Sequence, residues 1–315
     1  MKIREMGERA IIDRISNSLP HNAVLSAGED DCAVMDLRGD YLLLTIDMLH
    51  KSTDFPDKMT PWQIGWMSVA VNLSDIAAMG GYPIAIVTAL GLPADTEISF
   101  VDEIIEGMNF CAQIFNTNIV GGDTDEHDEL TAVCTVLGCV KKEELLRRSG
   151  AQIGDLVCVT GELGTAEAGL QAMSMNIPEC VEKILTKKLF EPQPRVNEGI
   201  ALARSGVVTS MMDISDGLAL SLYDLGKSSN KGFLINEDKI PILDETRIVS
   251  PDLDLPLYGG GDFELLLTVR PDGIEKAKKV CNLTTIGKVT SGDILIKRNG
   301  VISKIEARGH EHFIR

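Results

Sequence analysis

Apolar side chains recur along the first half of the chain at the spacings of helices and strands. They predict a helix over 5–16, a hairpin of strands at 32–37 and 41–46, a helix over 60–79, a strand at 84–90, a helix over 98–115, and strands at 118–120 and 130–140. The long helix is the clearest element, because Thr60 and Pro61 form a typical helix start and Gly80 ends the pattern.

The second half shows a similar alternation. It predicts strands at 156–160, 207–212, 263–269 and 284–289, helices over 164–174, 179–189, 195–205, 217–229 and 272–281, and a hairpin over 293–305. Both halves are therefore α/β or α+β in type. A charged, turn-rich stretch lies between them, and the 315 residues suit about two domains. We predict an N-terminal domain over 1–148 and a C-terminal α+β domain over 149–315.

One uncharged stretch, 76–94, is long enough to span a bilayer. Glycines and prolines interrupt it, so we expect a buried helix end followed by a buried strand instead. The charged residues 1–15 contain no secretory signal, and the 7 cysteines form no CxxC pair. These features predict a cytoplasmic protein with reduced thiols and no membrane attachment.

The charge of the chain is strongly acidic. With 30 Lys and Arg against 47 Asp and Glu, the net charge is −17, which argues against nucleic acid as a partner. The distribution is more informative than the total. Residues 59–140 contain no Lys or Arg but carry 11 carboxylates. Those carboxylates have no cationic partner close in sequence.

Acidic residues stand beside Gly, Ser or Thr near the ends of predicted elements. The groups are Asp30-Asp31, Thr45-Ile46-Asp47, Ser74-Asp75, Gly121-Gly122-Asp123-Thr124 and Asp213-Ile214-Ser215-Asp216-Gly217. Any one of these aspartates alone is more simply a helix cap or a turn former. If the five groups converge, their carboxylates need a counter-charge that the segment without Lys or Arg does not supply. An oxygen-only ligand set then predicts Mg²⁺, or Mn²⁺ in its place.

Mg²⁺ held by carboxylates usually completes its shell with phosphate oxygens, so the acidic groups predict a nucleotide di- or triphosphate ligand. Gly121 and Gly122 would let backbone N–H groups approach a phosphate closely. Arg148 could donate two hydrogen bonds to a phosphate, or it could be a solvated linker charge. The sequence contains no Walker A loop, no protein-kinase catalytic loop and no GxGxxG after a predicted strand.

Seven stretches follow one another along the chain: EDDCAV (29–34), AVNLSDIAAMGGYP (70–83), VGGDT (120–124), RSGAQIGD (148–155), VTGELG (159–164), MDISDGL (212–218) and YGGGDFELL (258–266). In series they resemble the thiamine-monophosphate kinase family, within the superfamily of aminoimidazole-ribonucleotide synthetase-like ATP-binding enzymes. The resemblance implies the two-domain fold of that superfamily and a homodimer whose N-terminal strands pair across the interface. It also implies phosphorylation of thiamine monophosphate to thiamine diphosphate, with ATP as co-substrate and several Mg²⁺ ions.

The resemblance carries residue roles over by motif position. The implied Mg²⁺ ligands are Asp31, Thr45, the backbone of Ile46, Asp47, Asp75, Asp123, Asp213 and Asp216. The implied ATP contacts are Gly122, Asp123, Arg148 and Ser215, and the implied catalytic residues are Asp75, Asp123 and Arg148. The implied contacts of the acceptor are Asp54, Gly261 and His310, three positions at which this chain departs from the residues that many family members carry.

The implied acceptor is a phosphate monoester, which is mostly dianionic at neutral pH and needs no general base. Two alternatives stay open from the residues themselves. One is a sister synthetase of the same fold that uses ATP to activate an amide or formyl oxygen. The other is a non-catalytic protein that binds metal or nucleotide. ATP consumption that depends on metal and on thiamine phosphate separates the three.

Overall fold

The computed structural model describes residues 5, 7–16, 18, 25–26, 30–37 and 39–312. The first half contains the helices α1 (Glu8–Ser16), α2 (Pro61–Ala78) and α3 (Ile98–Ile114). Its six strands are β1 (Leu25–Ser26), β2 (Ala33–Leu37), β3 (Asp40–His50), β4 (Tyr82–Leu92), β5 (Ile119–Glu126) and β6 (Thr131–Lys141). They form one sheet in the order β1-β2-β3-β6-β4-β5, in which β4–β5 is the only parallel pair among the described strands. The predicted hairpin is confirmed as β2 and β3.

The second half forms a seven-stranded sheet in the order β13-β12-β9-β11-β7-β10-β8. Its strands are β7 (Leu156–Val159), β8 (Val208–Ile214), β9 (Gly232–Asn236), β10 (Glu264–Val269), β11 (Thr284–Thr290), β12 (Ile294–Arg298) and β13 (Val301–Lys304). Its helices are α4 (Thr165–Ala172), α5 (Glu179–Phe190), α6 (Val196–Ser205), α7 (Leu218–Ser229), α8 (Asp244–Val249), α9 (Asp254–Tyr258) and α10 (Ile274–Val280).

Helix α2 connects the two halves. It starts with a capping box in which Thr60 Oγ1 accepts from the Gln63 N–H at 3.3 Å and Gln63 Oε1 accepts from the Thr60 N–H at 3.1 Å. Most of its side chains are buried, against α3 and the first sheet on one side and against α6 and β8 on the other. A Cβ atom at Gly199 of α6 would clash with the carbonyl of Ala77, so the two helix backbones approach closely. One apolar core therefore runs through both halves.

Three sequence expectations are corrected by the structure. Strand β4 is buried on one face only, because Ile84 and Val87 are exposed. Strand β5 continues beyond the predicted end at residue 120, through Gly121-Gly122-Asp123 to Glu126, since its backbone stays paired with β4. The segment between α7 and β10 also holds elements that the apolar pattern did not predict, namely β9, α8 and α9. Among the described helices, none is both long and apolar enough to cross a membrane.

Candidate active site

Three of the predicted acidic groups converge at the junction of the two halves. Asp31 lies just before β2, Asp75 lies in the last turn of α2, and Asp213 lies next to the last residue of β8. One carboxylate oxygen from each lies within 4.8 Å of those of the other two. They meet because α2 packs against both sheets at this point. For these three groups the structure shows the convergence that the sequence analysis assumed for all five.

Hydroxyl groups support two of these carboxylates. Thr45 Oγ1 donates to Asp75 Oδ2, and Ser74 Oγ donates to Asp213 Oδ2 at 2.6 Å. Both bonds orient the carboxylates while leaving their second oxygens available. The cluster carries an excess of negative charge. Burial, followed by repulsion from the nearby carboxylates, of which Asp47 is the first, raises the pKa of Asp75 well above its ordinary value. Burial, followed by the charge of Asp31, raises the pKa of Asp213 to about 8.

Two arginines supply part of the counter-charge. Arg148 donates from Nη2 to Asp31 Oδ1 at 2.6 Å and from Nε to Asp31 Oδ2 at 3.3 Å, and Arg147 pairs with Asp30. Arg148 reaches the site from beyond the segment without Lys or Arg, and it is not a solvated linker charge. Asp31 is the only member of the three-carboxylate cluster that it contacts in the described part of the chain.

The remaining cluster suits a divalent cation. Its ligand atoms are carboxylate oxygens, two of which accept hydrogen bonds from hydroxyl groups. Mg²⁺ prefers oxygen ligands, whereas softer metals prefer sulfur. Burial raises the pKa of both Asp75 and Asp213, and neighbouring carboxylates raise it further. A divalent ion between them would stabilise the ionised forms.

Strand β3 carries a second part of the predicted ligand set. Thr45 and Asp47 point toward α2, where the Asp47 N–H donates to Asn72 Oδ1 at 3.1 Å. Burial, followed by the charge of Asp216, raises the pKa of Asp47 to about 6. Ile46 lies on the opposite face with 63% of its side chain exposed, so only its backbone is available to the site.

Gly122 lies in the same row of the sheet as Asp47. The row runs through Cys134 and Thr88, and its three strand spacings of about 4.8 Å amount to about 14 Å. A Cβ atom at Gly122 would clash with the Thr88 carbonyl, so this strand pair requires glycine there. The adjacent Asp123 is exposed and accepts from the Thr124 N–H at 3.0 Å. Only an extended ligand could contact both ends of this row.

The turn between β8 and α7 holds Ser215 and Asp216. The Gly261 N–H donates to the Ser215 carbonyl at 2.7 Å, and the His310 N–H donates to the Asp216 carbonyl at 3.1 Å. Two of the three predicted acceptor contacts therefore border this turn. The third, Asp54, accepts from the His50 N–H at 2.7 Å and closes the turn that follows β3. That bond gives Asp54 a structural role whether or not it meets a ligand.

Sequence reasoning missed one cation beside this turn. Arg9 of α1 donates to both carboxylate oxygens of Asp224 at 2.6 and 3.0 Å, and its Nη2 lies 3.9 Å from Asp216 Oδ2. No spacing along the chain links residue 9 to residue 216, so only the packing of α1 against α7 reveals this contact.

The two halves match separate family models. Residues 29–140 match the AIR synthase related protein, N-terminal domain, and residues 152–297 match the AIR synthase related protein, C-terminal domain. Over 284 residues the chain is 44% identical to thiamine-monophosphate kinase of Methanospirillum hungatei, covering 90% of this chain and 92% of that protein. The chain belongs to the thiamine-monophosphate kinase family.

Other thiamine-monophosphate kinases are also similar to this chain over most of its length. The enzyme of Pyrococcus abyssi is 38% identical over 90% of this chain and 89% of its own length. A solved structure of AaThiL complexed with AMPPCP and TMP has a TM-score of 0.89 and 28% identity, covering 99% of both chains. The family resemblance and the two-domain α/β fold class are thereby confirmed for this family member. The individual site residues stay predictions.

The raised pKa of Asp213 predicts how the stability of this family member depends on pH. Because the folded-state pKa of about 8 exceeds the unfolded value of about 3.9, Asp213 favours folding below pH 4, and this contribution is lost as the pH rises toward 8. We expect the Asp213→Asn variant without metal to gain stability relative to wild type across that window. Thermal unfolding in EDTA at pH 5, 6.5 and 8 measures the difference. A constant difference at all three values would contradict the assignment.

Proposed function

We propose that this chain transfers the γ-phosphoryl group of ATP directly to thiamine monophosphate, giving thiamine diphosphate and ADP. The convergence of Asp31, Asp75 and Asp213 from both halves of the chain carries the proposal, because these carboxylates would hold metal ions for a polyphosphate in a member of the thiamine-monophosphate kinase family. The related structure that holds AMPPCP and TMP supports the choice of both substrates. In this proposal residues 1–148 form the ATP, Mg²⁺ and dimerisation domain, and residues 149–315 form the C-terminal domain.

The Mg²⁺ ions would be held first by the three clustered carboxylates. Further proposed ligands are Thr45, the Ile46 backbone, Asp47, Asp123 and Asp216. When bound, Mg²⁺ neutralises phosphate charge, which matters here because donor and acceptor are both anionic. The pKa values of Asp47, Asp75, Asp213 and Asp216 are all raised, so a bound cation would favour their ionised forms.

The chain's own residues would bind and orient the two substrates. The exposed Gly122 and the half-buried Ser215 would contact different parts of an extended ATP molecule, and Asp123 lies beside Gly122. Arg148 already has a bidentate geometry toward Asp31, and the same guanidinium suits a phosphate oxygen pair. A dianionic acceptor phosphate loses no proton on attack, so these residues catalyse by alignment and charge stabilisation. Asp54, Gly261 and His310 are the proposed acceptor contacts.

The decisive test is incubation of the purified protein with ATP, Mg²⁺ and thiamine monophosphate, followed by chromatography for thiamine diphosphate. Unphosphorylated thiamine is the matched acceptor control, because it lacks the dianionic nucleophile. We expect stoichiometric ADP and thiamine diphosphate. ATP cleavage on an amide or formyl acceptor alone would favour the sister synthetase, and nucleotide binding without turnover would favour the non-catalytic alternative.

We also propose that the chain acts as a cytoplasmic homodimer. The free cysteines favour a reducing compartment. The sheet face opposite α2 exposes apolar side chains on the two strands that flank β6: Leu44, Ile46 and Met48 of β3 and Val87 of β4. An exposed apolar patch of this kind is typical of a protein interface. A second copy of the chain would cover it with the same face by two-fold symmetry.

The dimer proposal predicts the effect of charge on this face. Ile46→Glu would bury a carboxylate in the interface, so we expect the variant to elute as a monomer where wild type elutes as a dimer. Ile98→Glu is the matched control, because Ile98 is 73% exposed on α3 away from that sheet face. Light scattering coupled to gel filtration gives both masses. A monomeric wild type, or a dimeric Ile46→Glu variant, would contradict the proposed interface.

A further inference from the structure

A loop at residues 259–263 is bound to the start of α4. The carboxylate of Asp262 accepts hydrogen bonds from the backbone N–H groups of Gly164 at 2.6 Å, Thr165 at 3.0 Å and Ala166 at 3.1 Å. The first N–H groups of a helix have no partner within the helix and favour negative charge. Asp262 therefore satisfies the N-terminus of α4 from a distant part of the chain and fixes the loop there.

The same loop holds the turn between β8 and α7 on its other side. The Gly261 N–H donates to the Ser215 carbonyl at 2.7 Å, and the Phe263 N–H donates to the Ile214 carbonyl at 2.9 Å. These two residues flank Asp262 and have positive φ angles of 87° and 51°. A positive φ is unfavourable for Phe263 and persists only where surrounding contacts hold it. The loop thus makes contacts on two sides: the side chain of Asp262 is bonded to α4, and the backbone N–H groups of its two neighbours are bonded to the β8–α7 turn.

We propose that Asp262 is a positioning residue for nucleotide binding. It anchors the 259–263 loop to α4, and the loop in turn holds the main chain of Ser215, next to Asp216. This inference rests on the proposed function, in which Ser215 contacts ATP and Asp216 contacts Mg²⁺. Asp262 itself touches neither substrate; it acts through the two backbone hydrogen bonds that its neighbours donate.

Asp262→Asn tests this role with little change in volume. The amide keeps one acceptor oxygen but turns an NH₂ group toward at least one of the three N–H donors, so the bonds to α4 cannot all form. We expect the loop to shift and the β8–α7 turn to lose its alignment. Small displacements at a binding site cost up to about 100-fold. We therefore expect the Kd for AMPPCP with Mg²⁺ and the KM for ATP to rise at least about tenfold.

Two control variants separate positioning from general stability. Thr165→Val keeps the N–H that donates to Asp262 and removes a buried hydroxyl that has no partner among the described residues, so binding should stay at the wild-type value. Leu185→Ala weakens the packing between α5 and α4 without altering the Asp262 bonds, and it should lower the Tm more than it weakens AMPPCP binding.

Calorimetry with AMPPCP and Mg²⁺, together with Tm for each variant, decides the matter. Wild-type affinity in Asp262→Asn would overturn the inference. So would a loss of affinity that is no larger, for the same drop in Tm, than the loss in Leu185→Ala. Both results presuppose a wild type that binds AMPPCP and forms thiamine diphosphate. A wild type that does neither would refute the proposed function itself, and that outcome is visible before any variant is compared.

Discussion

Asp75→Asn is expected to lower thiamine diphosphate formation by at least about 10³-fold, on the scale of losing a main charge-stabilising group, while making the metal-free protein more stable. The two effects have one cause. Asp75 lies within 4.8 Å of carboxylate oxygens of Asp31 and Asp213, and burial, followed by repulsion from Asp47, Asp213 and Asp31, raises its pKa well above the ordinary value. Asparagine removes that repulsion and still accepts the hydrogen bond from Thr45. It also removes the charge that a divalent ion requires.

Product formation and thermal unfolding with and without Mg²⁺ measure both effects. We expect Mg²⁺ to raise the Tm of wild type and to raise that of Asp75→Asn much less. Asp95→Asn is the matched control, because Asp95 is an exposed carboxylate in the same segment without Lys or Arg. Asp123→Asn should also lose turnover with its fold intact. Near-wild-type rates in both Asp75→Asn and Asp123→Asn would refute the metal-cluster interpretation.

Gly122→Ala is expected to damage the site, whereas Gly121→Ala is expected to be tolerated. A Cβ atom at Gly122 would lie far inside contact distance of the Thr88 carbonyl, and a Cβ atom at Gly121 would meet no atom within 4 Å among the described residues. The alanine at 122 must therefore push β5 away from β4, at a cost of about 1–3 kcal/mol. Asp123 would move with the strand, and we expect kcat/KM for ATP to fall by about 100-fold.

The pair of variants separates sterics from glycine flexibility. Both substitutions add the same methyl group and restrict the unfolded chain equally, so that any difference in Tm or in kcat/KM arises from the folded strand pair. Equal effects of the two alanines on both quantities would show that the close approach of β5 to β4 does not matter for activity.

The apolar pattern predicted many elements because burial follows the period of a helix or strand. The hairpin of β2 and β3 and the capped start of α2 are examples, since each depends on neighbouring residues. The pattern failed where local signals conflict with pairing. Gly121, Gly122 and Asp123 are typical turn residues, yet the parallel partner β4 holds them in an extended strand.

The acidic residues also combine features that the local sequence predicts with features that depend on the fold. Their identities and neighbours predicted a carboxylate site, and the serial motifs predicted the family that the comparisons confirm. Which of them meet was not encoded in spacing, because Asp31, Asp75 and Asp213 are far apart in sequence. The pairing of Arg148 with Asp31 was hidden for the same reason, and so was the contact of Arg9 near Asp216.

Residue type and local periodicity predicted the class of the fold and the oxygen-rich chemistry of the site, and the resemblance of the serial motifs predicted the family. The three-dimensional packing was needed to show which carboxylates share one centre, which arginines offset them, and why glycine is required at 122 but not at 121. Those features depend on the packing of α2 between two sheets. A contact between distant residues is set by how buried faces fit together, and periodicity reports only that a face is buried.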